Sequence, residues 1–182
     1  MSARRQHGIA ATWGFAEATL FFFVPDVFLT WLALERPKRA FVACGFALLG
    51  ALLGGVAILV WGGSDAASAR STLDSLPGIH PALFERASSD LADRGTAALF
   101  TGPRLGVPYK IYALEWGALG GNLGSFLLMS VPARLLRFLL TTALASVVSR
   151  RLLARTSLRV RRLIHIGFWL TFYAWYFFKM GI

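Results

Sequence analysis

Four ionisable residues stand where charge is costly. Glu17 and Asp26 lie within the apolar stretch 8–35, and Arg104 and Lys110 within the half-apolar stretch 98–117. Carboxylates and bases brought together in a low-dielectric setting can do two kinds of work. The bases, beside the broken ends of helices, suit a phosphate or another anion. A carboxylate beside them can take up and release protons, because burial and a nearby cation pull on its proton affinity in opposite senses. Glu115 is a further acid of the second stretch, and it serves either as a third member or by reaching to an interface. Arg134 and Arg137 flank the same set. They stand three apart on one helix face beyond Pro132, and either turn inward to the acids or extend to a surface.

Other chemistries find no support. The chain has no HExxH, no phosphate loop of the GxxxxGK type and no GxGxxG. His7, His80 and His165 fall in three different segments, so no metal set forms, and no cofactor is expected. His80 reads as a solvated loop histidine and His165 as facing lipid headgroups. Cys44, the one cysteine, lies in an apolar run and allows no internal disulfide. The chain reads as a non-enzyme.

The elements that must position these residues are apolar helices. Of 182 residues 56% are hydrophobic, above the roughly 45–50% of soluble domains. The fold class expected is an all-α integral membrane protein, with two opposed re-entrant helical hairpins in an inverted repeat plus about three transmembrane helices. It forms a single membrane domain over 1–182. Residues 40–62 carry no charge and meet the length of about 20 residues a spanning helix needs. Gly50 and Gly54 there form a GxxxG pair suited to close helix packing. Residues 118–148 and 163–182 are the other expected spans.

Residues 8–35 read differently. Pro25 and Asp26 interrupt the run, and both flanks are basic: Arg4 and Arg5 before, Arg36, Lys38 and Arg39 after. Basic flanks mark cytoplasmic ends. A hairpin that enters and returns on one side satisfies both, provided protein shelters its irregular backbone. The polar stretch 64–97, with five acids and three bases, reads as extracytoplasmic, broken by Pro77, Gly78 and Pro81 into short helices. Leu83, Phe84 and Leu91, with Leu99 just beyond, suggest contact with the membrane surface. Residues 98–117, with Pro103, Gly106 and Pro108, read as a second hairpin from the opposite side. The loop 149–162 has six arginines and no acid and is placed in the cytoplasm. The N-terminus is then cytoplasmic and the C-terminus extracytoplasmic, in the inner (plasma) membrane.

The net charge of +10 agrees with this pattern, since the bases gather at the edges of apolar runs. They read as topology determinants and contacts to anionic lipids, and nucleic acid is not an expected partner. The run Phe21-Phe22-Phe23 reads as packing or lipid contact. Inverted repeats of broken helices are typical of transporters, with the substrate held where the repeats meet.

Three stretches, FAEATLFFFVPD at 15–26, RPKRAFVACGFALLGALLGGVAILVWG at 36–62, and GPRLGVPYKIYALEWG at 102–117 followed by SVPARLLRFLL at 130–140, together carry a likeness. In their order and spacing the chain resembles the DedA family of the VTT (SNARE-associated Golgi protein) superfamily. That resemblance implies two opposed re-entrant hairpins, and translocation or scrambling of lipids or lipid-linked phosphates such as polyprenyl phosphate or phospholipid, with anionic or phosphate-bearing membrane lipids as partners and coupling to protons. It implies that the essential acids are Glu17 and Asp26 and the essential bases Arg104 and Lys110. The chain departs from the family pattern in having lysine at 110, proline four residues after Arg104 rather than three, and no glycine before Asp26. A lysine holds phosphate as a point charge, without the bidentate fork of arginine. The alternatives to a lipid translocator are a small-solute or cation/proton transporter and a non-transporting membrane scaffold.

Overall fold

A computed structural model describes residues 2–180, with Arg104, Lys179 and Met180 described in backbone only. Among the described residues the chain is helical throughout, with no strand. The first helix, α1 (Ala3–Ala18), starts where the Ser2 hydroxyl accepts from the Arg5 amide. It stops at Thr19. Residues 19–25 form an irregular tip, and Pro25 opens α2 (Asp26–Ala33). The long α3 (Pro37–Ser64) follows. Two short helices, α4 (Ala66–Asp74) and α5 (Pro81–Arg94), bracket the Pro77-Gly78 turn, as the breakers predict. After α6 (Ala97–Thr101) comes a 3₁₀ turn (Gly102–Leu105), and Gly106 takes φ +98°, a conformation that favours glycine. Then come α7 (Tyr109–Ala118), α8 (Leu123–Val147), a π-helical turn (Val148–Leu152) and α9 (Leu158–Met180).

One expected boundary moves. The span expected at 118–148 is broken at 119–122, where Gly120 has φ +68° and the Asn122 side chain accepts from the Ser125 amide to begin α8. Pro132 sits inside α8 without ending it. Two helices, α3 and the continuous stretch Leu123–Leu152, are long and apolar enough to cross a membrane. The helix at 163–182 forms over its described length, beginning already at Leu158. It is not one of those two: even past its arginines, His165, Lys179 and the polar rings of Trp169, Tyr173, Trp175 and Tyr176 keep its hydropathy low.

The contacts along α3 give the directions of its neighbours. His7 stacks on Phe46, and further on Phe15 and Ala18 meet Gly54, so α1 runs parallel to α3. Tyr109 meets Gly55 and Gly117 meets Gly63, so α7 also runs parallel to α3, beginning where α1 ends. Ser88 reaches Glu115 while Asp90 reaches Tyr112, so α5 runs antiparallel to α7. The first tip is therefore approached from one end of α3 and the second from the other. They face each other level with Gly54 and Gly55. α8 runs antiparallel to α3, since Tyr109 bonds Ser130, Cys44 contacts Thr142 and Ser149 bonds the Leu34 carbonyl.

Small residues allow α3 to serve both halves. A Cβ at Gly50 would strike the Ala11 carbonyl, and one at Gly14 the Ala47 carbonyl. On the other side, Gly62 meets the Leu114 carbonyl and Gly117 the Leu59 carbonyl. The GxxxG pair thus closes an intrachain seam with α1. A Cβ at Gly45, in contrast, meets nothing within 4 Å. Gly50→Ala is expected to cost about 1–3 kcal/mol through overpacking against backbone. Gly45→Ala is expected to stabilise by up to about 1 kcal/mol through helix propensity. Thermal unfolding of the two purified variants reads the opposite signs; a Gly50→Ala as stable as wild type would remove the backbone contact.

Leu83, Phe84, Leu91 and Leu99 are buried in the protein, packed with Tyr109, Tyr112 and Ile111 of α7. Their apolar face covers α7 rather than lying on an outer surface. An amphipathic helix pattern shows that one face is buried but not against what.

Candidate functional site

Irregular backbone carries polar groups that helix bonds no longer satisfy. At the first tip, side chains from three elements take them up. The Trp13 indole of α1 donates to the Phe23 carbonyl at 2.8 Å. The Lys110 ammonium of α7 donates to the Phe21 carbonyl at 2.8 Å. The Val24 amide donates to the Tyr173 hydroxyl of α9 at 2.9 Å. The fold thus fixes the tip from both halves and from the last helix.

The acids on either side of this tip are both paired with α8. Arg134 forms an ion pair with Glu17 through both terminal nitrogens, and Arg134 is 2% exposed. Its guanidinium lies over the Tyr109 ring, 4.6 Å from the centroid, and Tyr109 in turn donates to Ser130 at 3.0 Å. Arg137 donates to Asp26 Oδ2 at 2.5 Å, and Thr141 donates to Asp26 Oδ1 at 2.8 Å. The two pairs differ in access. Asp26 is 2% exposed, but the Arg137 side chain is 34% exposed. Residues 134, 137 and 141 recur on one face of α8, which is what brings both arginines and the threonine to the acids.

A cavity of about 160 Å³ opens between the tips. Glu17, Lys110 and Arg137 give it charge, and Phe22, Tyr173 and Tyr176 are among its aromatic walls. Of the described side chains in the cluster, Lys110, Arg134 and Arg137 are three cations against the two carboxylates of Glu17 and Asp26, leaving one positive charge in surplus. An ammonium has three donors and Lys110 spends one on Phe21. Chemically, the cavity suits an anion with several acceptor oxygens.

The structure therefore brings together Glu17, Asp26, Lys110, Arg134 and Arg137. Among the described side chains, the partners of the acids are on α8, and Lys110 holds tip backbone. Arg104 lies in the 3₁₀ turn of the second tip, between cavity-lining Pro103 and Gly106. Its side chain falls outside the described residues. Glu115 is not part of the site. It is 1% exposed and accepts from Arg70 Nε and Nη2, both at 2.7 Å, and from Ser88 at 2.8 Å. That triad fastens α7 to α4 and α5 beside a separate crevice of about 440 Å³. The hydrogen bonds from Arg70 to Glu115 hold the guanidinium proton more tightly than usual.

Three contributors went unforeseen. Thr141 and Tyr109 carry no signal of their own in an apolar run. His165, expected at the headgroups, is 9% exposed and packs on α2. Its Nε2 lies 2.8 Å from the Thr30 hydroxyl and accepts from the Trp169 indole at 3.1 Å. The i, i+4 spacing of His165 and Trp169 was the available clue. His80 is exposed, as expected for a loop histidine. Among the described residues no cluster of His, Cys, Asp or Glu is placed to hold a metal. No family model, curated protein or solved structure matches the chain.

Proposed function

We propose that this chain is a DedA-like inner-membrane transporter that translocates or scrambles lipids or lipid-linked phosphates. The observation that carries the reading is the meeting of two broken helical pairs, approached from opposite ends of an apolar helix, around a cavity with surplus positive charge. In a bilayer the two pairs are re-entrant hairpins, α3 and α8 cross fully, and α9 is the third crossing. The basic ends of α1, α3 and the 149–162 loop face the cytoplasm. Helix breaks within the hydrocarbon region are tolerated where protein or a lined cavity satisfies the backbone, and the Trp13, Lys110 and Tyr173 bonds to the first tip do this.

Within the proposed site the two ion pairs take different work. Glu17–Arg134, buried on both sides, joins the halves. Arg137, a third exposed beside the cavity, is the cation that exchanges its carboxylate for an incoming phosphate, with Lys110 as its companion. Reconstitution in vesicles with headgroup-labelled lipids tests the reading. Wild type is expected to speed transbilayer movement, Lys110→Met to slow it about 10–100-fold, and Lys110→Arg to recover most of the rate. Equal rates in wild type and Lys110→Met would dismiss it.

The complete pairing of both acids favours a second reading, a non-transporting scaffold whose charges only bind the halves together. Vesicles with protein and without it would then show the same lipid movement. A small-solute or cation/proton transporter, the remaining alternative, would give flux that does not depend on the headgroup.

A further inference from the structure

We propose that the aromatic seam between the first tip and α9 is a hydrocarbon-chain subsite. The cavity's occupant is then a long-chain anionic amphiphile, its headgroup against Lys110 and Arg137 and its chain leaving between Phe22 and Tyr176. This rests on the phosphate reading of the cavity given above.

Three observations carry it. First, the charged floor and the aromatic wall belong to one cavity, since Phe22, Phe172, Tyr173 and Tyr176 line it together with Lys110 and Arg137. A water-soluble anion needs only the floor. Second, the seam opens onto apolar surface. Phe21, Phe23 and Phe172 are partly exposed there, and the outward side of α9 carries exposed Phe168, Leu170 and Phe178. Third, ring contacts close the outer part of the seam. Arg162–Glu35, His165–Thr30 and Tyr173–Val24 fasten the lower length of α9 to the first helical pair. Beyond Tyr173, Phe22 meets Tyr176 and Phe177, each with ring centroids 5.1 Å apart, and the Gly78 turn lies beside the Phe22 and Tyr176 rings. Rings can part to admit a methylene chain without stranding a buried polar group, whereas parting a hydrogen-bonded seam would strand one. The run Phe21-Phe22-Phe23 thereby gains a role beyond packing.

The test is a calorimetric titration of the purified full chain, in one detergent, with butyl phosphate and with dodecyl phosphate. The longer probe is expected to bind wild type more tightly. In Phe22→Ala/Tyr176→Ala that preference should shrink by at least about tenfold, the apolar area of two rings being lost, with dodecyl phosphate affinity falling far more than that of butyl phosphate. Both proteins share one detergent, so partition of the probe into micelles cancels. A reversible version guards against misfolding: Phe22→Cys/Tyr176→Cys in a Cys44→Ser background, bridged by a short bifunctional thiol reagent. The bridged protein should bind butyl phosphate but lose the preference for the longer chain. An unchanged preference in the trimmed and bridged proteins, or equal loss of both probes, would overturn the subsite. If dodecyltrimethylammonium binds as tightly as dodecyl phosphate, with the same sensitivity to trimming, the chain subsite stands and the phosphate reading falls.

Discussion

Arg134→Met is expected to destabilise the protein by about 3–5 kcal/mol, and Glu17→Gln/Arg134→Met to recover most of that loss. Removing one partner of a buried ion pair leaves an uncompensated charge, whereas removing both leaves only a packing and hydrogen-bond deficit. Glu17 is 8% exposed and Arg134 2%, so solvent offers the stranded carboxylate little relief. Arg134 also lies over Tyr109 and Phe138, and methionine keeps much of that apolar contact. Thermal unfolding of the purified wild type, both single variants and the double variant completes the cycle. If the double variant melts as low as Arg134→Met alone, packing of the guanidinium and not charge compensation holds this point.

The placement of that pair explains why so large an effect should follow from one residue. Glu17 belongs to the last turn of α1, next to the first tip, while Arg134 belongs to α8. Tyr109, under the guanidinium, opens α7 just past the second tip, and it packs on Gly55 of α3. Four helices thus meet at one ion pair. The seams of α3 with α1 and with α7 bring backbones together by way of glycine and level the two tips, but they make no directional polar bond between them. A buried, directional pair can supply that register at some expense in stability, the best-attested role for such groups.

The residues that make the site visible in sequence are those whose cost is visible. Glu17 and Asp26 stand out because an acid in an apolar run needs a partner, and Pro25 because it cannot continue a helix. The breaks at 19–25 and 102–108 follow from the same punctuation. What was not legible is pairing. Whether Arg134 and Arg137 meet the acids depends on which neighbour the polar face of α8 (Ser130, Arg134, Arg137, Thr141) turns to, and periodicity gives the face but not the neighbour. The i, i+3 spacing of Arg134 and Arg137 did say that both share a face, without saying which. The break at 119–122 was legible in Gly120, Gly121 and Asn122. The apolar runs on either side nevertheless add up to the length of one span, which masks it. Leu83, Phe84 and Leu91 announced an amphipathic helix. Only the structure shows that its apolar face covers α7.

Asp26→Asn is expected to bind dodecyl phosphate about tenfold more tightly than wild type and yet to move lipid at least about tenfold more slowly. In the mechanism proposed above, Asp26 competes with the headgroup for the Arg137 guanidinium, to which it is bonded at 2.5 Å. Neutralising the carboxylate removes a charge-assisted bond worth more than a neutral one, so the phosphate meets a freer cation. Release becomes slow for the same reason, because Arg137 has no anion to return to. Opposed changes in affinity and rate are what competition for one cation requires, since two ligands sharing a site weaken each other reciprocally. Stability should fall less than in Arg134→Met, because Arg137 borders the cavity and the Thr141 hydroxyl still donates to the asparagine carbonyl. Calorimetry on the purified protein and vesicle reconstitution on the same preparation give both readings. Should affinity and rate fall together, Asp26 holds the cavity in shape instead of competing with the substrate. The exchange step would then pass to Lys110, which needs no carboxylate partner to leave and return, because its resting bond is to the Phe21 carbonyl.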